Sequence, residues 1–465
     1  MAKEPSPLAE ALRRAEMNPR QLATEINRWL DGRRLGDRRI DLTAPYSWVR
    51  QGYKPYDPIP SVAAAVLSER LGTLVTVDEL WPDRRRDGGP VLTAMGGLEG
   101  HVTPDGNLTA LAELASRSAG AHAEVTPATG PDLTAAVHQG LRVTFQWSKQ
   151  NSHRDRVLQP QIDVIAAHVT ALRKLDDQHG GGALSLRYIT GQLRSVLDLV
   201  RSADYEPAIG RQLLTIVADL AQLVGWVHFD AGRRGAAERY LLLSERVAVG
   251  LGEPGRAVNA IGMLSYVSAF AGHGADAVNI CAAAERSCPA SPVLQARVFG
   301  RNATAYAAVG DVSGFRNASD TARNLLSKRV LGDVPGYLYY LEPEQLVSEA
   351  GQALVVLAER TLVGRRALLR EAIALLTPNA EIGARPGYPR SALLHGAFLT
   401  KAHLLNGDLD AAVDAARAAL TRLPEVQSIR GITYLRDLRS AFARRRRSEV
   451  VSDFLPEFDA ALPRT

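Results

Sequence analysis

The side chains with the plainest chemical use sit together in DLTAPYSWVRQGYKP, Asp41 to Pro55. Thr43 suits a helix N-cap, Pro45 the first turn and Gly52 the stop. With Trp48 and Val49 turned inward, Thr43, Ala44, Tyr46, Ser47, Arg50 and Gln51 share the outer face. Hydroxyl, amide and guanidinium groups on one short helix match the donors and acceptors on base edges in a DNA major groove. Gln21 upstream and Lys54 downstream extend this candidate surface, as do Arg38 and Arg39. The two arginines belong to DGRRLGDRRI, a locally basic stretch that reads as an arm on the phosphate backbone or as a solvated loop.

A second set suits ligand binding. Asp219, Gln222, Trp226, Phe229, Asn259, Tyr266, Arg297, Thr304 and Lys401 fall where the inner helices of successive hairpins would line a groove. Aromatic rings with a few polar and charged groups fit a peptide, a small organic molecule or a partner protein. The competing reading packs half of them, Trp226 and Phe229 first, against neighbouring helices. Tyr337, Tyr339 and Tyr340 in GYLYYLEPE lie in a loop that closes this groove or packs on it.

Catalysis has no comparable cluster. The sequence contains no His-Glu-x-x-His, P-loop or Gly-x-Ser-x-Gly pattern, and His228, His273, His395 and His403 share no spacing. Cys281 and Cys288 stand seven apart without a second pair, so reduced core thiols are expected, and neither metal nor cofactor. The expectation is a protein that is not an enzyme.

Helices must position both sets. Leu213, Val217, Leu220, Val224 and Val227 repeat in steps of four and three, the stripe of a helix buried on one face. Gly232 breaks the pattern, and a second helix carries Ala237, Leu241 and Ser244 on one side. Such a hairpin cannot cover both its apolar faces alone. Gly272, Gly310 and Gly407 punctuate further hairpins, and the spacings Gly232 to Gly272 and Gly272 to Gly310 are 40 and 38 residues. In LLHGAFLTKAHLLNGDLDAAVDAARAALTRLP, Gly407, Ala412, Ala416, Ala419 and Pro424 fall at the offsets of a tetratricopeptide (TPR) repeat, which this stretch resembles. A plain alanine-rich bundle is the alternative. Glu344 to Leu376 lacks the glycine signal, and Arg444 to Arg447 reads as a solvated face of the closing helices.

The first ninety residues differ in texture. Leu8, Leu12 and Ala15 form one stripe, Leu22, Ile26 and Leu30 another, with Asn18 and Pro19 starting the second helix. Residues 84–130 are rich in Gly, Ala, Ser and Thr, which predicts a flexible linker with one helix over Leu108 to Ser116. The expected division is therefore 1–83, 84–130 and 131–465, in a chain of 465 residues that is 46% hydrophobic and 6% aromatic. A net charge of +5 over this length does not by itself identify a nucleic-acid binder. No leader pattern opens the chain and no apolar run approaches the ~20 residues of a membrane span, so a soluble, cytoplasmic, nucleoid-associated protein is expected.

Four stretches, LAEALRRAEMNPRQLATEIN, TAPYSWVRQGYKP, TALRKLDDQHGGG and LVGWVHFDAGRRGAAERYLLLSE, carry a resemblance to actinobacterial regulators that join an Xre-type helix-turn-helix domain to a TPR-like body. Negative regulators of sporulation and antibiotic production are among them. The resemblance implies an all-α fold, an N-terminal helix-turn-helix domain followed by a TPR-like α-solenoid, that binds double-stranded DNA under control of its body, commonly as a homodimer. An adaptor that scaffolds another protein and leaves DNA alone is the other reading.

Overall fold

Ser6 and Pro7 begin the first helix as their chemistry dictates: the Ser6 hydroxyl accepts the amide of Ala9 and itself donates to the carbonyl of Val49 at 2.9 Å. In the computed structural model the described residues are 6–32, 39–51, 53–55, 59–71, 75, 77–81, 92–93, 104–118, 125–143, 156–180, 182–330, 332, 334–380 and 388–462. They are almost entirely helical. The chain divides into two units, Met1–Pro90 and Val91–Thr465.

The first unit holds α1 (Pro7–Arg14), α2 (Pro19–Gly32), α3 (Ala44–Gln51), α4 (Ile59–Leu71) and the short α5 (Val77–Leu80). Asn18 and Gln21 cap α2 reciprocally, each side-chain oxygen accepting the other residue's amide at 2.8 to 2.9 Å. Both predicted stripes are buried, and they meet Trp48, Val62, Leu67 and Trp81 in one core. Trp48 and Trp81 pack edge to face with centroids 6.2 Å apart, and the Trp81 indole donates to the carbonyl of Tyr53. The long connection from α2 to α3 is fixed at its far end. Asn27 bonds both the amide and the carbonyl of Ile40, at 2.9 and 3.0 Å.

The second unit is an array of antiparallel helix pairs. Helices α8 (Gln159–His179) and α9 (Ala183–Ser202) both pack on α10 (Pro207–Asp230), and the pairs are α10 with α11 (Arg234–Gly250), α12 (Pro254–Phe270) with α13 (Gly274–Ser287), and α14 (Pro292–Val309) with α15 (Val312–Leu326). After these come α16 (Pro343–Arg360) with α17 (Arg365–Ala380), α18 (Pro389–Asn406) with α19 (Leu409–Leu420), and α20 (Ile429–Ala443) with α21 (Glu449–Ala461). Gly232, Gly272, Gly310 and Gly407 turn the chain between paired helices at φ of +74° to +94°, a conformation that costs any other residue strain. The α16–α17 turn also has its glycine, Gly364 at φ +70°, so the pair that seemed unpunctuated is regular. The array returns on itself: α18 packs on α8 and α20 on α10. Helix α10 is long and apolar enough to cross a membrane, contrary to the sequence expectation, yet 72% of its apolar window is buried by its neighbours.

The stretch expected to be a linker departs from that expectation where it is described. Helix α6 (Pro104–Ser118) buries Leu108, Leu111 and Leu114 in the main core, packing on α9 and α11. A two-residue strand, β1 (Leu92–Thr93), pairs in parallel with β2 (Val125–Thr126), and α7 (Pro131–Gly140) rests on α11 and α13. Between β2 and α7 the backbone is tied down: Ala128 donates to Glu238 and Gly130 to Asp276, both at 2.8 Å. Gly235 permits this strap. A Cβ there would stand 1.9 Å from the carbonyl oxygen of Val125.

Gly235→Ala is therefore expected to lower unfolding free energy by about 1–3 kcal/mol, the usual cost of forcing extra volume into a packed contact. Gly191→Ala, in α9 where nothing lies within 4 Å, is the control and should be neutral or stabilising. Equal urea midpoints for the two variants would show that residues 125–130 do not press on α11.

Candidate functional site

Two places gather the residues singled out above, one in each unit. On α3, the Trp48 side faces the core and the opposite side faces outward, with Tyr46 40% exposed and Arg50 and Thr43 also exposed. Asp41 organises the start of the helix: the amide and hydroxyl of Thr43 both donate to its carboxylate, at 2.7 and 2.6 Å. These bonds hold the Asp41 carboxyl below its usual range. The Ser47 hydroxyl turns back to the carbonyl of Ala44, Gln21 caps α2, and Arg39 forks onto Asp31. Tyr46, Arg50 and Lys54 have neither an ion pair nor a side-chain hydrogen bond among the described residues, which leaves their polar groups open to a partner. Arg38 and the side chain of Gln51 lie outside the described residues.

The second place is a cavity of about 100 Å³ inside the helical array. Helix α8 and the first helix of each pair contribute to it: Arg173, Asp176 and Asp177 from α8, Gln222 and Trp226 from α10, Tyr266 from α12, Arg301 from α14, Glu349 and Gln352 from α16, Arg390 and His395 from α18, and Arg430 from α20. Tyr337, Tyr339 and Tyr340 also line it, so the tyrosine-rich loop belongs to the cavity wall.

Of the nine groove candidates, Gln222, Trp226 and Tyr266 reach this cavity. Phe229 packs behind Trp226, their ring centroids 5.6 Å apart. Asp219 is paired to Arg256 at 3.1 Å and Arg173 at 3.4 Å. Arg297 is buried and forks onto Glu349, Asn259 is buried close to it, and Thr304 bonds its own helix at Gly300. Lys401 pairs with Glu359 at 2.7 Å beside a second hollow of about 460 Å³ over the mutually packed rings of Phe270, Phe398 and Tyr434. Arg445, from the basic run read as solvated, borders that hollow and donates to the carbonyls of Ala441 and Leu404.

Charge around the central cavity is dense and largely matched. Arg390 bonds Asp176 at 3.0 Å and Asp177 at 2.8 Å across more than two hundred residues of sequence, and Tyr339 donates to Asp177. Arg430 and Ser428 both bond Asp230. Burial pushes the Asp176 carboxyl up to about 7, with Arg390 opposing it. Burial acts the same way on Glu349, but Arg297 and Arg301 outweigh it and hold that carboxyl at about 2. Sequence reasoning missed Asp176, Asp177, Arg301, Glu349, Arg390 and Arg430. The adjacent acids in KLDDQHGGG were the available signal, since an acidic pair closing an apolar helix needs a cation from elsewhere.

Among the described residues the histidines join no cluster of ligating side chains. His228 is buried, stacked on Tyr240 at 5.2 Å and held neutral by burial, which lowers it to about 3. Among the described residues no three His, Cys, Asp or Glu side chains converge on a metal geometry. Cys281 and Cys288 are free thiols, and burial raises Cys281 to about 12.

Two outcomes follow from this charge pattern. A carboxyl raised in the folded state stabilises below its unfolded value, and that contribution disappears as pH climbs through the folded value. Stability should therefore decline from about pH 4 to pH 7 through Asp176, reinforced by Glu238 and Glu245, both raised by burial. Asp176→Asn should flatten the decline, as read by thermal unfolding across that range, and an unaltered slope would clear Asp176 of the effect. Arg390→Ala leaves two acids unpaired and should cost about 3–5 kcal/mol, partly restored by adding Asp176→Asn. Additive losses in the double variant would deny the pairing.

Residues 8–80 match the family described as the SP15 N-terminal domain, a span confined to the first unit and running from α1 to α5. No curated protein matches the chain.

Proposed function

We propose that this chain is a sequence-specific DNA-binding transcriptional regulator, with α2 and α3 acting as a helix-turn-helix of Xre type and α3 reading the major groove. In this reading the second unit is a TPR-like body that receives an effector and pairs two copies, and the regulator represses genes of development or secondary metabolism. The observation that carries the proposal is the division of α3 into two faces. Its inner side is secured by Trp48 in the core and by the Ser6 bond to Val49, while Tyr46 and Arg50 stand outward with their polar groups unengaged by described residues. A reading helix needs that combination, because base contacts require side chains held within a few tenths of an ångström on a rigid support. The Asn27 clamp on Ile40 supports the reading further, since it fixes where α3 begins in spite of the long connection.

Phosphate contacts would come from Lys54 and the basic connection, and they would supply affinity without sequence preference. Base discrimination falls to Arg50 and Tyr46. Selection of bound fragments from genomic DNA, followed by gel shift at two salt concentrations, tests the proposal. Specific retention that weakens steeply with salt is expected. Arg50→Ala should cost about 1–3 kcal/mol of specific binding while leaving the melting temperature unchanged, and Lys54→Ala should weaken all sequences alike. Absence of retention at low salt would favour the adaptor reading instead, and an unchanged footprint with Arg50→Ala would remove that residue from the reading surface.

A further inference from the structure

The central cavity carries one more step. Arg301 and Arg430 are 4% and 6% exposed, and both guanidiniums lie near Trp226, 6.0 and 5.1 Å from its ring centroid. Arg301 also stacks on Tyr266 at 4.3 Å. Each keeps a buried Nη1 with no hydrogen-bond partner, and the buried hydroxyl of Tyr340 is likewise unbonded. A buried donor left unmade costs of order 1–3 kcal/mol, more when charged, so several around one cavity point to something that arrives to accept them.

The neighbouring acids do not fill that role. Glu349 is engaged by the fork of Arg297 and by Gln345 at 2.9 Å, and its nearest approach to Arg301 is 3.8 Å. Asp230 is engaged by Ser428 and by the Nε of Arg430, which leaves the Nη1 of Arg430 over. The excess is of donors beside flat rings. At about 10–15 Å³ for a water position, a cavity of about 100 Å³ holds several waters or one compact organic molecule.

We infer that the array binds a small organic acid, its carboxylate received beside Arg301 and Arg430 and its flat apolar body laid against Trp226 and Tyr266. A planar guanidinium with one face on an aromatic ring and its edge free is well suited to a carboxylate. Asp176 has one unpartnered oxygen in the same lining, Oδ1, which offers a place for a hydroxyl or amino substituent on the ligand. This names the ligand class for the effector half of the proposed function and rests on that reading only for any consequence at DNA.

Calorimetric titration of the full chain with benzoate, 4-hydroxybenzoate and the neutral isostere benzamide tests the inference. Saturable one-to-one binding of the two acids is expected, with benzamide at least about tenfold weaker. Arg301→Gln should weaken the acids by a similar factor. Tyr340→Phe, which removes no charge and keeps the ring, should weaken them more mildly and serves if the arginine variant fails to fold. Benzamide binding as tightly as benzoate would reduce the cavity to an apolar hole. No saturable binding by either acid up to about 10 mM would leave it to water, and either result overturns the inference. The titration contains no DNA, so it separates from the function proposed above. Acids that bind yet leave a gel shift unmoved would remove effector control and keep the site, whereas specific DNA retention without acid binding would do the reverse.

Discussion

The second unit depends on a small set of buried ion pairs that join its early helices to its late ones. Arg390 on α18 holds Asp176 and Asp177 on α8, and Arg430 on α20 holds Asp230 on α10. A short backbone link accompanies them, the amide of Gln427 donating to the carbonyl of His179 at 2.7 Å. Stripping such groups of water is expensive, and an apolar replacement of the same shape would often be at least as stable. What the ion pairs supply is registry. Apolar surfaces of Ala and Leu slide past one another at little cost, whereas a guanidinium between two acids has one position.

Closure changes what the interior of the array can do. An open stack of hairpins presents a groove along its inner helices, the geometry behind the expected peptide site. Here the inner helices face one another and their aromatic rings join up, Trp226 with Tyr266, Tyr266 with Phe270, Phe270 with Phe398, and Phe398 with Tyr434. An extended peptide has little room along such a seam. Two hollows lie at either end of the aromatic chain, the inner one walled by charge.

Periodic features of the chain were readable from the sequence, and long-range ones were not. The stripes of α1, α2 and α10 and the glycines at 232, 272, 310 and 407 are local signals, set by helix pitch and by the left-handed turn, and they placed Gln222, Trp226 and Tyr266 on the face that reaches the cavity. Gly364 escaped because the turn TLVGRR carries exposed Leu362 and Val363 beside it, which look like helix. Helix α6 was expected over Leu108 to Ser116, but its place in the core was not. Its three leucines are too few to mark a core alone, and α9 and α11, which cover them, come much later in the chain. Arg297 and Asp219 were assigned to the groove by offset, but a charge meets its partner by proximity in space, and Glu349 and Arg256 were not foreseeable from offsets.

The placement of the inner cavity constrains how any occupant could act. Its walls come from both sides of the closure, α8 and α10 on one and α18 and α20 on the other. A molecule held by groups from both sides gains contacts in the closed array that it would lack if those helices parted, so its differential affinity favours closure. The same groups set the opposing tendency: above pH 7 the Asp176 carboxyl is charged, in a setting where burial opposes that charge. An acceptor bound beside Arg301 and Arg430 would add negative charge next to donors that have no hydrogen-bond partner, and it would offset part of the cost of keeping those donors dry. An acid bound as proposed would therefore tighten the array, and a signal sent from it would take the form of lost freedom in the helices that carry the latch.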